Sequence, residues 1–395
     1  MHYIRLLRPS VVEQSRLGFL LKIVLTITTD LSDSFLSPTE PVELAVIGVS
    51  HAKDGQKPPP PFILKPTRVA KWQTGIRVLK LDIPLDSRNQ VNTILIRPVN
   101  RQLAALGTAD IYPGSAGQGL ILPVYEDILT GDSRHVCFRS LRLPGGDGTI
   151  TSTLQVEEEM GESMARHIWD GGLTAACLVA DMCSGGQSQG GGKKPLPTLN
   201  VIFQQDKPLN VIELGCGVGI LGIGFARILG ASSLPNLKKS HVLLTDLPEA
   251  EERAQANIAR CDAQAGSSNE ALLCLDYENL DWDDGKFGNF GPKVQSRPWD
   301  LIVLSDCTYN DMLPCLVQTL SALHIHSARQ TSDSGPESRC NTKILLATKQ
   351  RHSAEKAVFD LMAADGWLRC EEAVVPLPVL NGKNESVEVY LFAKN

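Results

Sequence analysis

One stretch of sequence decides the fold: LNVIELGCGVGILGIGFARIL, residues 209–229. Its first six residues are mostly apolar, which predicts a buried strand. Three glycines then follow at alternate positions, Gly215, Gly217 and Gly219, and they allow a tight turn. The apolar residues after them recur at helical spacing and predict a helix over 220–229. A strand, a glycine turn and a helix leave free backbone N–H groups at the helix start, where a ligand can bind.

After this stretch, strand patterns and helix patterns alternate to the end of the chain. The predicted helices cover 249–260, 312–323 and 353–365, and the predicted strands cover 241–245, 271–275, 299–305, 343–348, 373–375 and 387–393. Residues 327–341 are polar and predict an insertion. Alternation of this kind is typical of a doubly wound α/β fold with a mostly parallel sheet.

The part of the chain before this stretch has a different pattern. Short β-branched segments separated by Pro and Gly predict a β-rich region over 1–150, arranged as a small sandwich. Residues 157–183 carry apolar residues at helical spacing, with glycines at 171 and 172, and predict two helices or one kinked helix. The second predicted domain therefore covers 151–395.

Composition and charge exclude several classes of protein. The net charge of −6 and the pI of about 5.8 argue against direct nucleic-acid binding, which needs a basic surface. The ten cysteines form no C-x-x-C pair, so we expect reduced thiols and no metal site. The apolar run 17–27 is too short to span a membrane and contains Lys22. We expect a soluble protein located in the cytoplasm, with the nucleus as a further location.

The glycine motif alone does not identify its ligand. Residues 217–222 also fit G-x-G-x-x-G, the dinucleotide fingerprint. Glu213 separates the two ligands, because a carboxylate at this strand end attracts the α-ammonium group of S-adenosylmethionine and repels a pyrophosphate. Asp246, at the end of the next strand, suits the ribose hydroxyls of either ligand. We therefore predict S-adenosylmethionine, with a dinucleotide and a purely structural turn as the alternatives.

Six short motifs follow one another along residues 157–395. In chain order they are Ile168-Trp169-Asp170, Glu213 to Gly219 with Leu221-Gly222, Thr245-Asp246-Leu247-Pro248-Glu249 with Asn257-Ile258, Leu280-Asp281-Trp282, Asp306-Cys307-Thr308-Tyr309 and Lys349-Gln350-Arg351. In these motifs the sequence resembles the seven-stranded protein-lysine methyltransferases of the methyltransferase 16 group. The resemblance implies a Rossmann-like seven-stranded methyltransferase sheet, here with a β-rich N-terminal extension. Arg166 and His167 replace the small residues common before the family tryptophan.

The resemblance also implies a set of site residues. Asp306 and Tyr309 follow the fourth predicted strand of the sheet, where open α/β sheets bind ligands, and they are the candidate catalytic residues. The candidate cofactor-binding residues are Trp169, Glu213, Gly215, Gly217, Gly219, Asp246, Asp281, Trp282 and Asp306. The alternatives are a helix cap for Asp306, core packing for Tyr309 and both tryptophans, Asp276 as the adenine contact, and a structural basic segment at Lys349 and Arg351.

The resemblance implies a methyltransferase that acts on a lysine side chain of a non-histone protein. The lysine amine must lose its proton before it attacks, and a nearby carboxylate and phenol suit that chemistry. Three alternatives remain at this point: a methyltransferase of a small molecule or of another side chain, an inactive cofactor-binding interaction protein, and an oxidoreductase. The sequence does not name the protein substrate.

Overall fold

The chain forms two compact units. The structure, a computed structural model, describes residues 1–15, 18–50, 59–86, 91–114, 117–128, 135–144, 150–160, 166–184, 195–205, 207–232, 234–265, 274–308, 312–332, 342–380 and 385–394. The first unit comprises Met1–Leu141, Gln155–His167 and Leu377–Glu385; the second comprises Arg142–Leu154, Ile168–Pro376 and Ser386–Asn395. Two segments beyond residue 150, the predicted boundary, thus belong with the first unit.

The N-terminal part of the chain is β-rich, as predicted. Its elements are β1 (His2–Leu6), β2 (Val11–Ser15), β3 (Gly18–Thr28), β4 (Val42–Val49), β5 (Phe62–Leu64), β6 (Lys71–Trp72), β7 (Leu79–Leu85), β8 (Thr93–Pro98), α1 (Thr108–Ile111), β9 (Ile121–Leu122), β10 (Val124–Asp127), β11 (Val136–Pro144) and β12 (Ile150–Glu159). One sheet has the order β2-β3-β1-β9, with β7 paired to β3; the other has the order β12-β11-β10-β8-β4-β5, with β6 paired to β4. Side chains of both sheets, among them Ile23 and Val46, share one hydrophobic core.

Residues 157–159 continue β12, so the predicted start of a helix at residue 157 is wrong. Leu154, Val156 and Glu158 alternate along the strand and are all buried. Glu158 is tolerated there because Arg139 donates to its carboxylate at 2.8 Å through Nε. A buried, ion-paired glutamate hides the apolar alternation by which a strand is recognised in sequence.

The second unit is built around a seven-stranded sheet, which confirms the predicted fold class. Its elements are α2 (Asp170–Cys183), α3 (Pro197–Gln204), β13 (Asn210–Leu214), α4 (Ile220–Gly230), β14 (His241–Asp246), α5 (Pro248–Ala265), β15 (Cys274–Asn279), α6 (Trp282–Gly285), α7 (Pro292–Gln295), β16 (Leu301–Ser305), α8 (Leu313–Ser332), β17 (Lys343–Thr348), α9 (Ala357–Ala364), β18 (Trp367–Pro376) and β19 (Ser386–Lys394). The strand order is β15-β14-β13-β16-β17-β19-β18. β13 to β17 pair in parallel, whereas β19 is antiparallel to both of its neighbours.

Several elements differ from their predicted bounds, among them β18, which begins at Trp367 instead of residue 373. β15 runs to Asn279, beyond the predicted end at residue 275. α8 continues to Ser332, although residues 327–341 were expected to form a polar insertion. Ser327 is buried and accepts the backbone N–H of Trp299 at 2.9 Å through Oγ, so a polar residue in this helix serves a core contact. The predicted polar insertion therefore begins inside the helix.

The sheet order brings the carboxyl ends of the five parallel strands, β13 to β17, together at one edge. The carboxyl ends of parallel strands lie on the same side of a sheet, and β13 pairs with both β14 and β16. The glycine turn after β13 therefore lies between the segments that follow β14 and β16. Within the part of the chain that the structure describes, no helix is long and apolar enough to cross a membrane.

Candidate active site

The glycine turn joins β13 to α4 in a backbone conformation that favours glycine. The φ angles of Gly215, Gly217 and Gly219 are 64°, 53° and 82°. These left-handed values are costly for residues with a Cβ, so the three glycines meet a backbone requirement. The turn ends at the first residue of α4, whose early N–H groups point out of the helix.

Two side chains from neighbouring elements hold this turn. Asp246, at the end of β14, accepts the N–H of Gly217 at 2.7 Å through Oδ2 and the N–H of Leu247 at 2.7 Å through Oδ1. Asn257, buried on α5, donates through Nδ2 to the carbonyl oxygen of Val218 at 2.9 Å. The turn is thus fixed before any ligand binds. Asn257 was noted in sequence only as part of a motif, and its function as a support becomes visible in the structure.

Glu213 is buried at the end of β13, directly before the turn. Its Oε2 accepts the N–H of Gly222, in the first turn of α4, at 2.9 Å. Its Oε1 is buried and has no hydrogen-bond partner among the described residues. Burial raises the pKa of this carboxyl; the N–H of Gly222 lowers it and Asp246 raises it further. A Cβ at Gly222 would lie 2.5 Å from Oε2, so glycine at this position makes room for the carboxylate.

These groups fit S-adenosylmethionine and do not fit a pyrophosphate. The unpartnered Oε1 of Glu213 can receive an α-ammonium group, whereas a pyrophosphate brings only acceptor oxygens, which cannot satisfy it. Each carboxylate oxygen has two lone pairs, so both oxygens of Asp246 keep an acceptor position for a ribose hydroxyl. Gly222 gave the dinucleotide alternative its third glycine, and the structure assigns that glycine to Glu213 instead.

The predicted adenine-side residues occupy different positions. Trp282 is half-buried, and its Cζ2 lies 3.3 Å from the place where a Cβ of Gly215 would be. Asp281 is exposed and caps α6 by accepting the N–H of Asp283 at 2.9 Å. Asp276, the alternative adenine contact, lies within β15 and pairs with a lysine of α7 at 2.7 Å. Trp282 is therefore beside the turn, while Asp281 contributes a cap and Asp276 an ion pair.

Asp306 follows β16 and is almost completely hydrogen-bonded. Its φ is 51°, and its side chain is 3% exposed. Oδ2 accepts the N–H of Gly171 in the first turn of α2 at 2.7 Å, and Oδ1 accepts the N–H of Lys349 at 3.0 Å. Arg351 binds both oxygens, Nη1 to Oδ1 at 3.0 Å and Nη2 to Oδ2 at 3.3 Å. The carboxylate does serve a helix N-terminus, that of α2.

The segment after β17 adds a second ion pair and an aromatic contact. Lys349 is buried, and its Nζ lies 2.8 Å from Oδ2 of Asp170, which is also buried. The guanidinium of Arg351 lies over the Trp169 ring, 5.2 Å from its centroid. Trp169 itself is half-buried and directly precedes α2. The residues at 169–171, 306 and 349–351 therefore form one connected group, which we term the acidic-end cluster.

Part of this cluster was not predicted from the sequence. Asp170 appeared there only as one residue of a motif, and the ion pair between Arg351 and Asp306 was not expected. The sequence signal for the contact between α2 and Asp306 is the glycine at 171, near the start of a helix. The structure gives its reason, because a Cβ there would lie 2.6 Å from Oδ2 of Asp306. Tyr309, the second candidate catalytic residue, lies outside the described residues.

Comparison with known proteins identifies the family of the chain. The profile of the lysine methyltransferase family matches residues 149–365, more than half of the chain. The chain belongs to the lysine methyltransferase family. Members of this family use S-adenosylmethionine, and the protein is accordingly an S-adenosylmethionine-dependent methyltransferase with a Rossmann-like fold. The oxidoreductase alternative is thereby excluded.

Three relatives illustrate how far the similarity extends. A UPF0665 family protein of Schizosaccharomyces pombe is 25% identical over 371 residues, which are 93% of this chain and 94% of the relative. EEF1A lysine methyltransferase 3 of Xenopus tropicalis is 33% identical over 148 residues, and protein-lysine N-methyltransferase rrg1 of S. pombe is 30% identical over 122 residues. These matches cover 37% and 30% of this chain, and 49% and 36% of the two relatives. The two lysine methyltransferases are thus similar over half of their length or less.

Proposed function

We propose that the protein transfers the methyl group of S-adenosylmethionine to a lysine side chain of a non-histone protein. The observation that carries this proposal is the match of the lysine methyltransferase family to residues 149–365. The acidic-end cluster fits the proposal, because Asp306 and Arg351 hold together the segments that follow β16 and β17, beside the glycine turn.

The residues of the site fall into two groups, one that binds the cofactor and one on the side of the acceptor. When bound, S-adenosylmethionine supplies a methyl group on a sulfonium, which an amine nitrogen can attack in line. Glu213 and Asp246, at the ends of β13 and β14, bind the cofactor in this proposal, and Trp282 packs beside Gly215. We propose that Trp169 lines the acceptor side and excludes water there, because the guanidinium of Arg351 holds its ring.

Asp306 acts on the acceptor side as a positioning residue in this proposal. Two backbone N–H groups and both Nη atoms of Arg351 fill the four acceptor positions of its carboxylate. A lysine ammonium reaches this carboxylate only if Arg351 leaves it. We therefore assign Asp306 the task of holding the cluster in place. Tyr309 stays the second proposed catalytic residue, on the ground of the family motif alone.

A labelling experiment tests the acceptor. The purified chain is incubated with a labelled methyl donor and a cell extract, and labelled proteins are identified by mass spectrometry. Elongation factor 1A is the first purified protein to test, because a similar protein is named for it. We expect methyl-lysine in a protein, with no labelling by a Gly217→Arg variant. Label confined to small molecules or to another side chain would contradict the proposal.

A further inference from the structure

The buried carboxyl of Glu213 lacks the surroundings of an ionised acid. Among the described residues, it accepts one hydrogen bond, from the N–H of Gly222 at 2.9 Å. Its other oxygen is buried without a partner, and the residue is 1% exposed. A carboxylate removed from water needs several donors or a cation to remain charged. A single N–H at the start of α4 does not replace the water that Glu213 has lost.

The groups that face Glu213 do not supply the missing positive charge. Asp246 on β14 is an acid, and the thiols of Cys216 in the turn and Cys307 after β16 are electrostatically coupled to Glu213. Burial raises the pKa of both thiols well above the usual value, so they stay neutral. Burial also raises the pKa of Glu213, to about 8; the Gly222 N–H opposes this rise and Asp246 adds to it.

We propose that Glu213 is protonated before the cofactor binds and releases its proton when the α-ammonium group of S-adenosylmethionine arrives. The ammonium gives the unpartnered Oε1 a cationic partner, which favours the charged carboxylate. The charges balance: a neutral acid and an ammonium become a carboxylate–ammonium pair, and one proton passes to the buffer. This inference rests on the cofactor and on no property of the acceptor.

A pH dependence of cofactor affinity follows. Below pH 8 the proton on Glu213 competes with the ammonium, so affinity rises as the pH approaches 8. At higher pH the α-amino group of the free cofactor loses its own proton, and affinity falls again. Cofactor affinity is thus greatest at mildly alkaline pH, whatever the acceptor protein requires.

Calorimetry measures the proton directly. S-adenosylmethionine is titrated into the full chain at pH 7 in buffers of different ionisation enthalpy, and the dependence of the observed heat on that enthalpy counts the protons exchanged. We expect the wild type to release about one proton per cofactor bound. Glu213→Gln keeps the shape and the hydrogen bond from Gly222 but cannot ionise. We expect it to bind more weakly, by about tenfold, and to release none.

A second ligand makes the test independent of the variant. 5′-Methylthioadenosine lacks the amino-acid part of the cofactor, so its binding to the wild type should release no proton. Equal proton release from the wild type and Glu213→Gln, or with both ligands, would show that another group supplies the proton and would overturn the proposal. So would tight binding of S-adenosylmethionine by the wild type without proton release. Because no acceptor is present, failure of the lysine proposal leaves these measurements unaffected.

Discussion

Two buried carboxyls stand at the ends of adjacent strands, and their surroundings are opposite. Glu213, the last residue but one of β13, accepts one N–H and has an oxygen without a partner in the part of the chain that the structure describes. Asp306, after β16, accepts two N–H groups and a bidentate guanidinium. One acid is short of positive charge, and the other is already neutralised. The difference teaches that a strand-end acid in this fold can serve either to receive a charged ligand or to hold chain segments together.

The largest effect is expected from damage to the turn that serves Glu213. Gly217 has a left-handed φ of 53° and donates its N–H to Asp246 at 2.7 Å. Gly217→Arg strains this backbone and fills the ligand space, so cofactor affinity should fall by at least about a hundredfold. Calorimetry measures the affinity, and circular dichroism checks the fold. Gly288→Arg is the matched control, since Gly288 has a φ of 76° and open space around it; unchanged affinity in Gly217→Arg would refute the pocket.

The next largest effect is expected from Asp306, the acid whose carboxylate is already hydrogen-bonded and ion-paired. Asp306→Asn keeps the side-chain shape and tolerates the φ of 51°, but it leaves the half-buried guanidinium of Arg351 without its charge partner. We expect methyl transfer to fall by about a hundredfold, while cofactor affinity changes by less than about tenfold.

Steady-state kinetics and calorimetry separate the two quantities. Asp300→Asn is the control at the opposite end of the same strand, where Asp300 accepts the N–H of Asn210 at 2.8 Å. Its transfer rate should stay within about threefold of the wild type. Full activity of Asp306→Asn would remove Asp306 from the mechanism.

The free energy of unfolding at different pH values tests Glu213, the acid that has no cationic partner among the described residues. In the folded chain Glu213 keeps its proton up to about pH 8, whereas in the unfolded chain it loses the proton near pH 4.5. Between these values the unfolded state binds fewer protons, so stability falls as the pH rises. From pH 6.5 to 9 the cofactor-free wild type should lose about 2 kcal/mol that Glu213→Gln does not lose.

Urea unfolding at the two pH values measures this difference. Glu278→Gln is the control, because Glu278 also accepts helix N–H groups, from Lys293 at 2.9 Å and Val294 at 2.8 Å. That variant should be less stable at both pH values and show the same pH dependence as the wild type. Parallel curves for Glu213→Gln and the wild type would mean that Glu213 is ionised when folded.

Features set by nearby residues were predictable from sequence. The strand, the glycine turn and the helix follow one another in 209–229, and Asp246 ends the next strand, so spacing alone indicated the cofactor side. The extent of β12 was not predictable, because the buried Glu158 depends on Arg139, which lies on another strand. The seven-stranded order came from the resemblance to a family.

Features set by distant residues were not predictable. The N–H of Gly171 reaches Asp306 across 135 positions, and the guanidinium of Arg351 reaches it across 45. No local pattern encodes such pairs, so Lys349 and Arg351 resembled an ordinary basic segment. In the same way, sequence located Glu213 but could not show that one of its oxygens lacks a partner, since this depends on every neighbour at once.

The smallest expected effect decides how Asp306 is used. Arg351→Lys keeps the positive charge but loses the bidentate contact with Asp306 and the stacking over Trp169. If the cluster positions the acceptor side, kcat should fall by about tenfold with little change in cofactor affinity. If Arg351 instead blocks Asp306 from the acceptor lysine, its weaker replacement should raise kcat or lower KM.

Arg369→Lys is the matched control for this measurement. Arg369 also pairs with a carboxylate, that of Glu372 at 3.2 Å, and lies over an aromatic ring, that of Tyr390 at 5.7 Å, but its side chain is 54% exposed. Exposed pairs of this kind contribute little, so Arg369→Lys should leave kcat and KM unchanged. Faster transfer by Arg351→Lys, with no change in Arg369→Lys, would mean that Asp306 contacts the acceptor lysine directly. Both acids would then bind a cation of a ligand. They would differ only in that Asp306 is paired with Arg351 until the lysine binds, whereas Glu213 has no cation from the described part of the chain before the cofactor binds.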